Sequence, residues 1–185
     1  TIVAAKCPLV VAPAMDGNMY HNPATQENLA RVRGRGTALV GPSSGRLASG
    51  LVGLGRLVDT SEIISQISMV LGRNGPLAGR TIIVSAGGTQ EPIDPVRVIT
   101  NRSSGKMGHA IAEVARDMGA SVILVTAASL SDPVGVETNR VETAQEMRDT
   151  VVRHLTSADA LIMAAAVADY TPATTLSSKV KKSAA

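Results

Sequence analysis

The sequence predicts an α/β fold, with a Rossmann-like parallel sheet that carries helices on both faces. Two observations lead to this prediction. Short apolar runs alternate along the chain with segments whose apolar residues recur every three or four positions. The order strand, helix, strand, helix, strand is typical of a parallel sheet that is covered on both sides. With 185 residues, 44% of them hydrophobic, the chain is long enough for one full domain, or for one domain and part of another.

The first part of the chain alternates short strands and helices up to a turn at residues 73–76, which is the best candidate for a domain boundary. Asn22 followed by Pro23 is typical of a helix start, because Asn caps helices and proline is tolerated at the first helical position. The predicted elements of this part are strands at 9–12 and 37–40, helices at 23–33 and 59–72, and a glycine-rich loop at 45–55.

A second pattern begins after this turn and carries the predicted parallel sheet. Thr143 and Glu146 have the spacing of a capping box at the start of a helix. The predicted elements of this part are strands at 81–85, 122–126 and 160–166 and helices at 107–118 and 144–155.

Composition excludes several classes of partner. The formal net charge is only +3, and the chain has no Trp or Phe and two Tyr, so we do not expect a nucleic-acid partner. No apolar run approaches the roughly 20 residues of a membrane span, so we expect no membrane partner. The single cysteine, Cys7, excludes a disulfide scaffold and fits a reducing compartment such as the cytoplasm. We expect Cys7 to pack in a strand, and His109 and His154 to lie on helix surfaces.

Ligands of open parallel sheets bind beyond the carboxyl ends of the strands. Three loops are expected at this edge, 86–89, 126–131 and 165–171, and the segment 100–108 opens a helix beside them. Ser, Gly and Lys before a helix suit an anion, because the free N–H groups and the helix dipole favour negative charge there. A plain serine cap would explain the same residues. The neighbouring Asn, Lys and Gly-Gly favour a phosphate or a carboxylate.

A dinucleotide oxidoreductase of the NAD(P) type has the same general fold. The loop after the first strand of the sheet, however, lacks the spacing GxGxxG, and no acid follows the second strand to hold a ribose hydroxyl. A P-loop, GxxxxGK[ST], is also absent. The missing GxGxxG and the missing acid disfavour an NAD(P) oxidoreductase, which we keep as an alternative.

Four motifs, in chain order, closely resemble phosphopantothenate–cysteine ligase. They are residues 86–97, 101–108, 165–170 and 179–182. Upstream, residues 13–19 and 45–56 resemble the end of phosphopantothenoylcysteine decarboxylase, an enzyme that bacteria commonly fuse to the ligase in this order. The resemblance implies that 1–75 is the C-terminal part of a flavodoxin-like or Rossmann-like flavoprotein decarboxylase domain, and that 76–185 is the N-terminal part of the ligase domain.

The resemblance implies two steps of coenzyme A synthesis. The ligase would use CTP and Mg²⁺ to activate 4′-phosphopantothenate as an acyl-cytidylate, which the amine of L-cysteine then attacks. The decarboxylase would use FMN to convert 4′-phosphopantothenoylcysteine to 4′-phosphopantetheine. The same resemblance implies a homo-oligomer with dimeric ligase domains.

The ligase resemblance also implies roles for particular residues. Asn101 and Lys179 would be catalytic, Asn101 at the carboxylate or acyl-cytidylate and Lys179 at the triphosphate. The further implied substrate-binding residues are Gly88, Arg97, Ala165 and Ala166. The implied nucleotide-binding residues are Ser103, Met163, Ala164, Ala165, Asp169 and Lys179, with Asp169 also a ligand of Mg²⁺. Without the resemblance, 164–168 would be close packing, Asp169 a turn residue and 179–182 a solvated run of charge.

The decarboxylase resemblance places Met15, Asp16 and Ser49 at the substrate. Asp16 stands where the family has Asn, and an ionised Asp only accepts hydrogen bonds, whereas Asn can also donate. Ser49 stands where the family has the cysteine that donates a proton, and a hydroxyl is a weaker acid than a thiol, whose pKa is about 8.5. We therefore expect this chain alone to lack decarboxylase activity and to be a weak or inactive ligase. A nucleotide-binding module without catalysis is the second alternative.

Overall fold

The computed structural model describes residues 2–179, which divide into two compact units between Arg73 and Asn74. Within these residues, none of the helices combines the length and the apolar character that crossing a lipid bilayer requires. We describe each unit separately.

The first unit contains a pair of short parallel strands and an antiparallel hairpin. Its strands are β1 (Val10–Val11), β2 (Ala38–Leu39), β3 (Ser43–Arg46) and β4 (Val52–Arg56). Its helices are α1 (Gly17–His21), α2 (Pro23–Gly34) and α3 (Thr60–Gly72). The predicted start of α2 is confirmed, because the Asn22 side chain accepts a hydrogen bond from the N–H of Ala24 at 3.0 Å.

The predicted loop at 45–55 is wrong, since most of it is the hairpin of β3 and β4. The turn covers only residues 47–51, where the N–H of Leu47 donates to the oxygen of Leu51 at 2.8 Å. At Gly45, an added Cβ would lie 2.7 Å from Cδ of Arg56, so the arginine side chain lies across this glycine. Glycine here marks a close approach between strands, which the sequence pattern cannot distinguish from a flexible loop.

The second unit is built on a parallel sheet with the strand order β10-β5-β8-β9. Its strands are β5 (Thr81–Ala86), β6 (Gln90–Pro92), β7 (Val98–Thr100), β8 (Ser121–Thr126), β9 (Glu137–Arg140) and β10 (Ala160–Met163). Its helices are α4 (Lys106–Asp117) and α5 (Ala144–Leu155). Strands β6 and β7 form a separate antiparallel hairpin.

The two faces of this sheet are covered by different helices, which confirms the predicted fold class. Ala112 of α4 packs with Val84 and Leu124 on one face. Met147 of α5 packs with Ile83 on the other face. Alternate residues of β5 therefore belong to two cores, because successive side chains of a strand point to opposite faces.

Three elements differ from the sequence prediction. Strand β9 was missed because its residues, Glu-Thr-Asn-Arg, have no apolar alternation, yet Ile123 pairs with Glu137 in the sheet. The β6–β7 hairpin was also missed, and the last strand ends at Met163 rather than at 166. The predicted capping box of α5 is confirmed, with the N–H of Glu146 donating to the hydroxyl of Thr143 at 3.1 Å.

Two expectations about single residues are wrong. His109 is buried, with 6% of its surface exposed, and its Nδ1 lies 3.1 Å from the oxygen of Gly105. It follows Gly108, which contacts the sheet, so this side of the first turn of α4 is enclosed, whereas Met107 on the other side is exposed. Cys7 is exposed and precedes β1, so it does not pack in a strand.

Candidate functional site

Two loops meet at the carboxyl edge of the sheet in the second unit. Gly88, which follows β5, forms a parallel bridge with Ala166, which follows β10. The N–H of Ala166 donates to the oxygen of Gly87 at 2.8 Å, and the N–H of Thr89 donates to the oxygen of Ala166 at 3.3 Å. The loops predicted at this edge therefore lie side by side.

The segment before α4 packs against the loop after β5. An added Cβ at Gly88 would lie 2.6 Å from the backbone oxygen of Asn101. Gly105 has a φ of 72°, and an added Cβ there would lie 2.4 Å from Cβ of Ala128. Glycine is needed at both positions because the backbones approach more closely than any side chain allows. The structure thus brings together 87–89, 101–105 and 164–168.

Asn101 joins the third loop to this arrangement. Its amide nitrogen donates to the backbone oxygen of Val167 at 2.9 Å, and the neighbouring Thr100 hydroxyl donates to the oxygen of Thr89 at 2.8 Å. An Asn side chain has both donors and an acceptor, so one face of the amide can hold the loop while its oxygen receives a donor from a ligand.

Two buried hydroxyls that the sequence analysis missed hold the loop after β10. The Ser85 oxygen accepts from the N–H groups of Ala164 and Ala165, at 3.1 and 3.2 Å. The Thr89 oxygen accepts from the N–H of Ala168 at 2.9 Å. Contacts of Ala164 and Ala165 with a nucleotide would therefore use their carbonyl oxygens. The signal available in the sequence was a serine at the end of an otherwise aliphatic strand.

Ser103 lies at the start of α4, but it is not the helix cap. The cap residue is Gly105, without a side-chain hydrogen bond, so the alternative of a plain serine cap is wrong. The Ser103 hydroxyl accepts from the N–H of Gly105 at 3.4 Å, and the Ser104 hydroxyl accepts from that of Lys106 at 3.5 Å. These contacts are long, so an anion could compete for the same N–H groups.

Arg97 holds a turn. Its Nε donates to Asp94, which is buried, at 2.9 Å, and the same carboxylate accepts from the backbone N–H of Val96 at 2.9 Å. Part of the guanidinium group is therefore used to close the turn between β6 and β7.

The last described segment runs along this same hairpin. The N–H of Leu176 donates to the oxygen of Ile93 at 3.0 Å, and the Thr175 hydroxyl donates to the oxygen of Pro92 at 3.1 Å. Lys179 follows and is exposed. The predicted motif continues through Lys181 and Lys182, which lie outside the described residues.

Met163 and Asp169 flank the loop after β10, and both are exposed. Within residues 2–179, no three His, Cys, Asp or Glu side chains are grouped as metal ligands. Asp169 would then supply a single carboxylate. This donor set fits Mg²⁺, which commonly binds through one or two carboxylates together with the phosphates of a substrate.

The first unit contains a cavity of about 310 Å³. It brings together Met15, Asp16 and Ser49, the residues that the sequence analysis assigned to one substrate. Its further lining includes Ala14, Arg46 and Arg56, and the two arginines were not predicted. Gly55 allows this geometry, because an added Cβ would lie 2.1 Å from the oxygen of Met15.

Asp16 and Ser49 are bonded directly across the cavity. The Ser49 hydroxyl donates to Oδ2 of Asp16 at 2.6 Å, and the N–H of Asn18 donates to Oδ1 at 3.0 Å. These two bonds, the one from Ser49 first, hold the pKa of Asp16 below its ordinary value of 3.8. Asp16 is therefore ionised at neutral pH and can only accept.

The volume of this cavity is at the lower end of the range for small-molecule sites. The described lining fits a small substrate, and we derive no step through a flavin. Together with the second unit, these features define the class of the protein, an α/β protein with a Rossmann-like sheet whose loops meet at its carboxyl edge.

The chain belongs to the DNA/pantothenate metabolism flavoprotein family, whose C-terminal domain model matches residues 77–185. A second family model, described as flavoprotein, matches residues 1–72. The resemblance inferred from the motifs is thereby confirmed.

Named relatives support the same family. The chain is 47% identical over 188 residues to the coenzyme A biosynthesis bifunctional protein CoaBC of Mycobacterium tuberculosis, covering 98% of this chain and 45% of the relative. It is 42% identical over 186 residues to a cysteine/cysteine sulfinic acid decarboxylase from an unknown prokaryotic organism, covering 97% of this chain and 52% of the relative. The chain thus spans about half the length of the curated relatives it matches.

Among solved structures, the chain matches the crystal structure of the C-terminal domain of CoaBC with a TM-score of 0.51 and 52% sequence identity. The match covers 54% of this chain and 51% of that one. The Rossmann-like assignment of the second unit agrees with this similarity.

Proposed function

We propose that residues 76–185 are the N-terminal part of a phosphopantothenate–cysteine ligase domain that uses CTP, and that 1–75 are the C-terminal part of a phosphopantothenoylcysteine decarboxylase domain. The observation that carries the ligase assignment is the hydrogen bond from Asn101 to Val167, which joins two loops of the motif at one sheet edge. The relatives named CoaBC support the pairing of the two activities.

In the ligase reaction, CTP activates the carboxylate of 4′-phosphopantothenate as an acyl-cytidylate with release of pyrophosphate, and L-cysteine displaces CMP. Bound Mg²⁺ would neutralise charge on the phosphates. Asp169 would hold that ion, and Lys179 would neutralise the triphosphate. Asn101 orients the acyl group through its amide oxygen, and Ser103 contacts phosphate oxygens at the start of α4.

The remaining predicted residues shape the ligand edge. Gly88 lets the backbone approach the ligand closely, since it carries no side chain. Ala165 and Ala166 line the acyl-cytidylate, while Met163 and Ala164 present backbone to the nucleotide. Arg97 supports the substrate from the β6–β7 hairpin, where it closes the turn through Asp94.

In the decarboxylase part, Met15, Asp16 and Ser49 contact the substrate. FMN would supply the redox chemistry when bound. Ser49 is a poor proton donor in place of a thiol. We therefore propose that these 185 residues alone do not decarboxylate 4′-phosphopantothenoylcysteine, and that they are at most a weak ligase.

A second candidate function for the first unit is decarboxylation of a free cysteine-like acid. The relative named cysteine/cysteine sulfinic acid decarboxylase supports it. The observation that favours it is the ionised carboxylate of Asp16, because a carboxylate suits a free ammonium group, whereas the amide of an asparagine suits a carboxylate.

The protein is further proposed to be a cytoplasmic homo-oligomer with small-molecule substrates and neither nucleic-acid nor membrane partners. Exposed apolar side chains support association. They include Ile64 and Leu71 on α3, and Met107 and Val114 on α4. Light scattering on the purified protein tests this, and a monomer at micromolar concentration would contradict it.

The deciding experiment measures pyrophosphate release by the natural full-length protein with CTP, 4′-phosphopantothenate, L-cysteine and Mg²⁺. We expect release that requires CTP and phosphopantothenate. Tight CTP binding without release would favour a nucleotide-binding module. Binding of NADH but not CTP would favour an NAD(P) oxidoreductase.

A further inference from the structure

Residues of both charges line the cavity of the first unit: Asp16 is acidic, and Arg46 and Arg56 are basic. We propose that it binds a small zwitterionic α-amino acid of the cysteine type, with the free ammonium group on Asp16 and the carboxylate on Arg46 and Arg56. This inference deepens the second candidate function, on which the choice of a cysteine as ligand rests. It differs from binding of an N-acylated cysteine, in which the ammonium group is replaced by a neutral amide.

Asp16 is arranged as an acceptor for a cation. Both of its carboxylate oxygens already accept one neutral donor, the hydroxyl of Ser49 and the N–H of Asn18. Each carboxylate oxygen has a further lone pair. Neither donor carries a charge, so a positive group of a ligand would add a charge-assisted hydrogen bond to this solvent-accessible carboxylate. Charge-assisted hydrogen bonds are roughly twice as strong as neutral ones, so an ammonium group gains more here than an amide.

The positive side of the cavity comes from the hairpin. Arg46 ends β3 and Arg56 ends β4, and both residues line the cavity. Arg56 is oriented by Asp59, whose carboxylate lies 3.6 Å from Nη2. Within residues 2–179, neither arginine forms an ion pair with Asp16. The guanidinium fork suits a carboxylate, which it can bind with two parallel hydrogen bonds.

The size and the walls of the cavity limit the ligand. The volume of about 310 Å³ is at the small end for ligand sites and accommodates a free amino acid. Apolar surface from Met15, Leu47 and Leu57 lies beside the charged groups. A thiol or another short side chain fits such a wall, because methionine is itself flexible and polarisable.

The experiment follows the methyl groups of the seven methionines by NMR, with ¹³C-methyl labelling of the full chain. Met15 lines the cavity and reports on the first unit, while Met163 reports on the ligand edge of the second unit. The Met15→Leu variant assigns the Met15 signal. This separation matters because the proposed ligase would itself bind L-cysteine.

Three probes separate the two charges. L-cysteine has both, N-acetyl-L-cysteine lacks the ammonium group, and cysteamine lacks the carboxylate. We expect L-cysteine to shift the Met15 signal with an apparent affinity at least about ten-fold higher than either of the other probes, which is the effect of one lost charged hydrogen bond. Equal affinity for L-cysteine and N-acetyl-L-cysteine at Met15, or no shift with any probe, would overturn the proposal.

Variants assign the two contacts. Asp16→Asn is expected to abolish the preference for L-cysteine over N-acetyl-L-cysteine. Glu27→Gln is the control, since Glu27 is an exposed acidic residue of α2 that does not line the cavity, and it should retain the preference. Arg46→Gln should lower the affinity for L-cysteine and for N-acetyl-L-cysteine about ten-fold, while the affinity for cysteamine stays unchanged. If Asp16→Asn disturbs the methyl spectrum of the free protein, the Arg46→Gln variant tests the proposal instead. Equal loss of affinity for all three probes in that variant would then contradict it.

The binding proposal and the second candidate function can fail separately. Release of CO₂ from L-cysteine is measured with the natural full-length protein and FMN. Selective binding at Met15 without CO₂ release would support the site and count against the decarboxylation. If CO₂ release persists in both Asp16→Asn and Arg46→Gln, the decarboxylation would be supported, but it would not take place at this cavity.

Discussion

The side chain of Asn101 and the backbone of Val167 are joined by a hydrogen bond of 2.9 Å between residues that are 66 positions apart. This bond links the loop before α4 to the loop after β10. Both loops also contact the segment after β5, through Gly88 and Ala166. The carboxyl edge of this sheet is therefore one connected structure, and a change in any of the three loops is expected to affect the others.

Asn101→Asp removes the donor and places a carboxylate beside the oxygen of Val167. We expect the free energy of unfolding to fall by about 1 kcal/mol and pyrophosphate release from CTP to fall ten-fold or more, because the remaining oxygens repel both the loop and an anionic intermediate. Urea unfolding and a pyrophosphate assay measure the two effects. Asn74→Asp, in the turn between the units, is the control, and normal turnover by Asn101→Asp would remove Asn101 from the site.

Gly88→Ala places a methyl group 2.6 Å from the backbone oxygen of Asn101. Since a backbone oxygen cannot rotate away, we expect a loss of about 1–3 kcal/mol in unfolding free energy, the usual cost of overpacking. Gly34→Ala is the matched control, because nothing lies within 4 Å of an added Cβ in that helix. The control should be neutral or slightly stabilising, and an equally stable Gly88→Ala would contradict the close approach.

Ser85→Ala leaves the N–H groups of Ala164 and Ala165 without their buried acceptor. We expect the free energy of unfolding to fall by about 1–3 kcal/mol, which is the desolvation cost of unpaired polar groups. We also expect weaker nucleotide binding. Ser121→Ala is the control, since Ser121 begins β8 and is exposed. Thermal unfolding and a CTP titration compare the two variants, and the idea fails if their effects are the same.

Asp159 connects the starts of β5 and β10. Its carboxylate accepts from the N–H of Thr81 and from Arg80, each at 2.8 Å, and these bonds hold its pKa below 3.8. Because the pKa is lower in the folded state, the carboxylate stabilises the fold at pH values above its ordinary pKa. This stabilisation is lost as the pH falls through the folded pKa.

We therefore expect Asp159→Asn to be less stable than the original chain at pH 7, with the difference shrinking as the pH falls below 3.8. Urea unfolding at several pH values measures this difference. Asp149→Asn, on the exposed face of α5, is the control. A difference that is constant with pH would show that the charge of Asp159 does not contribute.

Lys179→Gln tests the proposed neutralisation of the triphosphate. We expect pyrophosphate release to fall about ten-fold while the thermal midpoint stays unchanged, because an exposed lysine contributes little to stability. Lys6→Gln, in the first unit, is the control for a lost surface charge. An unchanged rate in Lys179→Gln would exclude this residue from the site.

Most of the fold could be predicted where the apolar period was strong. Strand β5 and helices α4 and α5 lie within a residue or two of their predicted bounds. Strand β9 escaped because it pairs through its backbone with polar side chains, and backbone pairing leaves no apolar pattern. The β3–β4 hairpin was missed for a related reason: Gly45 and Gly55 lie close to Arg56 and Met15, and a sequence pattern cannot distinguish such close approach from flexibility.

The candidate sites divide in the same way. Asn101, Asp16 and Ser49 could be selected from motifs, since each stands at a recognisable position. Ser85 and Arg46 could not, because their roles depend on which backbone groups and cavities lie beside them in space.

Local patterns in the chain were sufficient for the class of fold, the order of its main elements and the family, because these depend on periodicity and on short motifs. The folded molecule was needed for the Asp16–Ser49 bond, the Asn101–Val167 bond and the burial of His109. The physical reason is that hydrogen bonds and burial depend on distances between residues far apart in the chain, and only long-range packing sets those distances.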